Sequence, residues 1–134
     1  MSFNFVHDFQ MRIYDLLSSD PDVTNSVDKV YLSVMQDAKY HFILINILKV
    51  EDSSKYDCSI YCIEFEICIF ARDKIQGHLL LIVDKITKVL QQGSSHLNNY
   101  SIISMKSGEA TFQRSQDLIT TKLSVNYKSL IRQE

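Results

Sequence analysis

The sequence has no tryptophan, one proline and three glycines in 134 residues, and each shortage removes a class of function. Gly77, Gly93 and Gly108 lie too far apart to build a phosphate-cradling loop or a dinucleotide fingerprint, both of which need clustered glycines. Without Trp, and with little loop length, the closely spaced Glu64 and Glu66 have no sugar platform beside them. Their separation of about 6.6 Å along a strand therefore reads as a structural or interface pair rather than a glycosidase couple. No serine sits in a G-x-S-x-G nucleophile elbow. His7, His41, His78 and His96 fall in four different predicted elements, without H-x-H or H-E-x-x-H spacing, so they do not read as metal ligands. The chain reads as a non-enzyme with no cofactor.

Basic charge is also lacking. A net charge of −2 and a pI near 6.1, with Lys and Arg scattered along the chain, give no electrostatic case for direct nucleic-acid recognition. Long apolar runs are missing too: the longest near the second predicted helix is Leu79–Val83, against the roughly 20 residues needed to cross a bilayer. The opening MSFNFVHDF has no basic region leading into an apolar core and does not read as a signal peptide. A soluble, intracellular protein with no membrane partner is expected. Cys58, Cys62 and Cys68 share one strand parity and lie roughly 13 and 20 Å apart if the strand is continuous. They can neither pair within that strand nor converge on one zinc ion, and three reduced thiols in packed positions are expected.

What the chain does have is a long strand running into an amphipathic helix. Ser59–Ala71 (SIYCIEFEICIFA) places Tyr61, Ile63, Phe65, Ile67 and Ile69 on one parity, the period-2 signature of a buried sheet face. After Asp73, a predicted N-cap, Ile75, Leu79, Ile82, Val83, Ile86, Val89 and Leu90 recur at helical spacing up to Gly93. Gly93 suits a left-handed closing residue, and Gly77 a close-packing point within the helix.

The remaining elements follow from the same periods. Residues 3–18 predict a first helix with Phe5, Phe9, Ile13, Leu16 and Leu17 on one stripe, stopped by Pro21. Asp22–Lys29 reads as loop, Val30–Met35 as a short strand, and His41–Val50 as a strand apolar on both parities. Glu51–Asp57 reads as the tip of an antiparallel hairpin. Past Gly93–Asn99, a loop on composition, Tyr100–Met105 predicts a strand, Lys106–Asp117 a long loop, and Leu118–Tyr127 the last strand. In that last strand Ile119, Thr121, Leu123, Val125 and Tyr127 are expected to point inward. One α+β domain over residues 1–134 is predicted, in the order α-β-β-β-α-β-β. Its core would be a single mixed or mainly antiparallel sheet of about five strands with two helices packed on it.

The long strand leaves a surface question. Opposite its core parity lie Ile60, Cys62, Glu64, Glu66, Cys68 and Phe70. Either the helices divide between the two sheet faces, or another subunit covers this one.

The order of elements resembles the tail-completion proteins of long-tailed phages and phage-like particles, the tail terminator or head–tail joining family. The resemblance spans nearly the whole chain. It rests on the opening helix FVHDFQMRIYDLLSSDPDV, the strands VYLSV and HFILINIL, and IEFEICIFARDK entering IQGHLLLIVDKITKVLQQ. The closing strand RSQDLITTKLSVNYK completes it. It implies a non-enzymatic virion-assembly protein, of phage or prophage, forming a sixfold homo-oligomeric ring on the tail tube. That ring would stop tube growth and present a surface to the head connector, so its partners would be itself, the tail-tube protein and the connector protein. Synthesis in the host cytoplasm and incorporation into the particle follow. A small intracellular adaptor or chaperone binding a protein partner through its sheet is the alternative. Ile60, Glu64, Glu66 and Phe70 are the expected subunit interface, with the two glutamates paired to bases of a neighbouring subunit. Lys55, Lys106 and Arg114, in the two polar segments, are the expected partner-contacting charges.

Overall fold

The computed structural model describes residues 3–33, 41–72, 76–93, 96–97, 99–116 and 119–133. Helix α1, Phe5–Ser19, buries Phe5, Phe9, Ile13 and Leu17 along the predicted stripe. Pro21 ends α1 and also opens a second short helix, α2, Pro21–Thr24. The Asp20 carboxylate caps that helix, accepting from the Asp22 and Val23 backbone N–H groups at 2.9 and 3.3 Å. Proline is compatible with a first helical position because its missing N–H would have no intrahelical partner there. The polar stretch expected as loop thus contains a helical turn that buries Val23, and Val27 follows it into the core.

Strands β1 (Lys29–Tyr31), β2 (Phe42–Asp52) and β3 (Ile60–Arg72) come next. Of the predicted Val30–Met35 strand, Leu32 and Ser33 fall beyond the end of β1, while Val34 and Met35 lie outside the described residues, as does the predicted cap at Asp73. The β2–β3 hairpin closes tightly: Lys55 and Cys58 exchange backbone hydrogen bonds at 3.0 and 2.9 Å around Tyr56 and Asp57. Helix α3, Gln76–Gln92, buries Leu79, Ile82, Ile86 and Leu90. A two-residue strand β4 (His96–Leu97) sits within the stretch expected as loop, before β5 (Tyr100–Arg114) and β6 (Thr120–Gln133).

The six strands form one mixed sheet in the order β1-β2-β3-β6-β5-β4, with β1 parallel to β2 and every other pair antiparallel. Both long helices lie on the same face. Phe9 of α1 meets Phe65 edge-on at 5.4 Å, and Thr87 of α3 hydrogen-bonds the Tyr127 hydroxyl at 2.8 Å. Phe65 and Tyr127 are themselves stacked at 5.3 Å on that face. The core therefore lies between this face and the helices, with Ile63, Phe65, Ile67 and Ile69 of β3 beside Leu123, Val125, Tyr127 and Ile131 of β6.

Several expectations are corrected. Lys106–Asp117 is not a long loop: β5 continues to Arg114, paired with β6 across two register shifts, at Ile102/Ser104 and Ser107/Ala110. β6 continues past Tyr127 to Gln133, pairing with the beginning of β3. Ile119 precedes the strand and is exposed rather than inward. Gly93 does not take a left-handed conformation, and none of the three glycines has positive φ. Its role is close approach: a Cβ there would lie 2.7 and 2.9 Å from the two Leu16 Cδ atoms, so the end of α3 closes directly on α1. Gly77 is no packing point, since a Cβ would meet nothing within 4 Å. Cys58 lies at the hairpin turn and is exposed, Cys62 is half-buried, and only Cys68 is buried.

Candidate functional site: the uncovered sheet face

The face turned away from the helices is built from the opposite parity of the same strands, and the ladder register sets its side chains in rows. At one end Lys29, Phe42, Phe70, Lys122 and Gln113 lie across five strands. Phe70 stacks on Phe42 at 4.8 Å, Tyr31 meets Phe42 edge-on at 5.5 Å, and the Lys122 Nζ lies 5.8 Å from the Phe70 ring centroid. Phe42 is buried on this face. The next row is Leu44, Cys68, Ser124 and Thr111. Burial pushes the Cys68 thiol above its ordinary range, against the opposing effect of the Ser124 hydroxyl 3.5 Å away.

The middle of the face is polar. Asn46, Glu66 and Asn126 form one row, with the Asn46 amide donating to Glu66 Oε1 at 3.1 Å. Lys49, Glu64, Lys128 and Lys106 form the next, with the Lys128 Nζ 3.2 Å from Glu64 Oε1. Beyond it come Glu51, Cys62, Leu130 and Ser104, then Ile60, Arg132 and Ser101. Lys49 and Glu51, neighbours along β2, approach to 3.7 Å.

Ile60 and Phe70 thus stand at opposite ends of one face, both half-buried, with Glu64 and Glu66 between them. Within the chain itself, Glu64 is paired with Lys128 and Glu66 accepts from the neutral Asn46 amide. Lys106 joins the face from β5. Arg114 ends β5 opposite Thr121, on the other parity, and Lys55 is at the hairpin turn, away from both.

Residues read singly do not show the accumulation of cations. With Arg72, which follows Phe70 at the same parity, the described residues place seven Lys or Arg on this face against three carboxylates. The signal is present in β6, where Lys122, Lys128 and Arg132 share a parity, but it emerges only once the strand is extended beyond Tyr127. A cavity of about 340 Å³ opens on the face at the β5–β6 end, lined by Phe70, Gln113, Arg114, Ser115, Thr120 and Lys122. A groove of about 370 Å³ between α1 and α3, lined by Arg12, Asp15 and Asp20 among others, lies on the helical side. Among the described residues no three His, Cys, Asp or Glu converge as metal ligands, and no helix is long and apolar enough to cross a membrane.

No family model and no curated protein matches this sequence. The fold does match a solved chain described as belonging to the virion of a native gene transfer agent (GTA) particle. The TM-score is 0.83 at 10% identity, covering 98% of this chain and 99% of that one.

Proposed function

We propose that this protein is a structural component of a phage-like particle: a terminator-type subunit that forms a ring on the end of the tail tube, ends its growth and joins it to the head connector. The observation that carries this reading is the end-to-end fold likeness to a chain of a gene transfer agent virion. The order of elements that resembles the tail-completion family supports it independently. The role is architectural and needs no catalytic group.

The sheet suits ring assembly through its two unlike edges. Among the described residues, β2 is unpaired on its outer side after Leu44, and β5 after Ser101. Long exposed strand edges are templates for pairing with another chain. Each edge has a bulge with an exposed apolar residue, Leu48 on β2 and Ile103 on β5, both 49% accessible. An interface that joins one edge to a different edge of the next copy is head-to-tail, and such interfaces close into rings when the rotation permits. Deleting the gene tests the role: particles with tails of uncontrolled length, or heads without tails, are expected. Normal tailed particles from the deletion strain would refute it.

A further inference from the structure

We infer that the uncovered sheet face is a polyanion-binding surface that rests on the phosphate backbone of double-stranded nucleic acid without reading its sequence. The net charge of −2 argues against such a partner only if the charges are spread evenly. Among the described residues that the strand pairings place on one face, the fold sets seven cations against three carboxylates, with Glu109 lying in the β5 bulge outside those pairings.

The carboxylates on that face are already engaged: Glu64 by Lys128, Glu66 by Asn46 and Glu51 by Lys49. The cations are in surplus. Lys106 stands directly across from Lys128, and like charges at such a position destabilise a sheet unless an anion spans them. Lys106 and Arg132 have no ion pair among the described residues, and both are exposed. Between the cations the face presents neutral hydrogen-bonding groups, including Ser104, Thr111 and Asn126, the kind that supplement Lys and Arg at phosphates. At one end, the 340 Å³ cavity has Arg114, Lys122 and hydroxyl or amide side chains on its walls, and none of its six lining residues is acidic.

The geometry also distinguishes duplex from single strand. Single-stranded binders hold bases on exposed aromatic faces. Here Phe42 and Phe70 are stacked on each other with Lys122 above the second ring, and Tyr31 packs edge-on to Phe42 beside Lys29, so the described aromatic rings of this face are already engaged. What remains is a charged surface, roughly 45 Å long along β6, which fits a rod of phosphates better than an unstacked strand. This inference does not depend on ring formation.

The test is fluorescence anisotropy with a labelled random-sequence duplex of about 30 base pairs, titrated at several salt concentrations between about 50 and 200 mM. Binding is expected to be independent of sequence, with log K falling linearly with log salt. Lys106→Gln combined with Arg132→Gln should weaken it at least tenfold and reduce the salt slope by about 2, near one for each phosphate no longer neutralised. Thermal melts should match or slightly exceed wild type, because both side chains are solvent-exposed and the Lys106–Lys128 repulsion is relieved. Lys85→Gln with Lys88→Gln, on the helical side, should bind as wild type. No binding at about 50 mM salt would overturn the inference, as would an unaffected Lys106/Arg132 variant or equal loss from the helical-side variant. Single strand binding as tightly as duplex would overturn the duplex assignment. Salt-sensitive self-association that the face variant abolishes, without duplex binding, would assign the face to an acidic surface of a second copy instead.

Discussion

The two faces of the sheet are made by the same strands and differ in almost everything else. Along β3, Tyr61, Ile63, Phe65, Ile67, Ile69 and Ala71 are buried under α1 and α3, while Ile60, Cys62, Glu64, Glu66 and Phe70 between them are only half-covered. One parity holds the fold together through apolar burial. The other carries charges paired within a strand or to the next one, and its burial is concentrated at the end that holds Phe42 and Cys68. Alternation along a strand lets a single segment serve both purposes, since changing one parity leaves the other in register.

The largest expected effect probes the covered face. Phe65 is fully buried between Phe9 and Tyr127. Phe65→Ala should cost about 3–5 kcal/mol in urea unfolding, through the transfer energy forfeited and the cavity left behind. Five residues along, Phe70→Ala should cost only about 1 kcal/mol, chiefly the stack on Phe42. Equal losses from the two would break the contrast and place a hidden cover on the second face.

The Tyr127 hydroxyl sharpens it from the polar side. Tyr127→Phe removes the 2.8 Å bond to Thr87 and should cost about 1 kcal/mol. Burial raises the Tyr127 hydroxyl above its ordinary value of 10.0. Its contribution is therefore complete below pH 10 and declines as pH rises from there through the folded value, because the unfolded chain releases the proton first. Denaturant midpoints measured across that alkaline range should fall less steeply in Tyr127→Phe than in wild type.

Smaller still is Gly77→Ala on the exposed side of α3. With nothing near the new Cβ, it should stabilise by about 0.5–1 kcal/mol. Gly93→Ala, which must displace Leu16, should not. Thiol labelling gives the finest gradation: Cys58 should react fastest, Cys62 more slowly and Cys68 last, because burial both shields Cys68 and disfavours its thiolate.

The covered face is legible in the sequence because burial leaves a period. Phe5, Phe9, Ile13 and Leu17 read as a helix stripe, and Tyr61 to Ile69 as a sheet face, before any coordinates. The uncovered face and the outer strand leave no such mark. From Lys106 to Arg114, β5 contains Lys, Ser, Gly, Glu, Thr, Gln and Arg because it faces solvent along most of its length, and polar residues in a strand look like loop residues in a sequence. Asp20–Pro21 reads as a stop, though the same pair starts the next helical turn. The charge pattern is hidden for a different reason: Lys49, Lys128 and Lys106 share one row, and Lys29 the same face, only through pairings among β1, β2, β3, β5 and β6.

The position of β6 has a consequence for synthesis. Formed from residues 120–133, it lies in the middle of the sheet, between β3 and β5, and pairs Val125 with Ile67. A growing chain that has not reached Thr120 has two strands with bare inner edges and nothing to join them. Such long-range pairing is slow to nucleate, and unpaired edges aggregate in the meantime. Translation that stalls after Arg114 should therefore yield insoluble or proteolysed material rather than a smaller folded protein. Solubility of that truncated chain, compared with the whole one at equal expression, would show how completely the fold waits for its final strand.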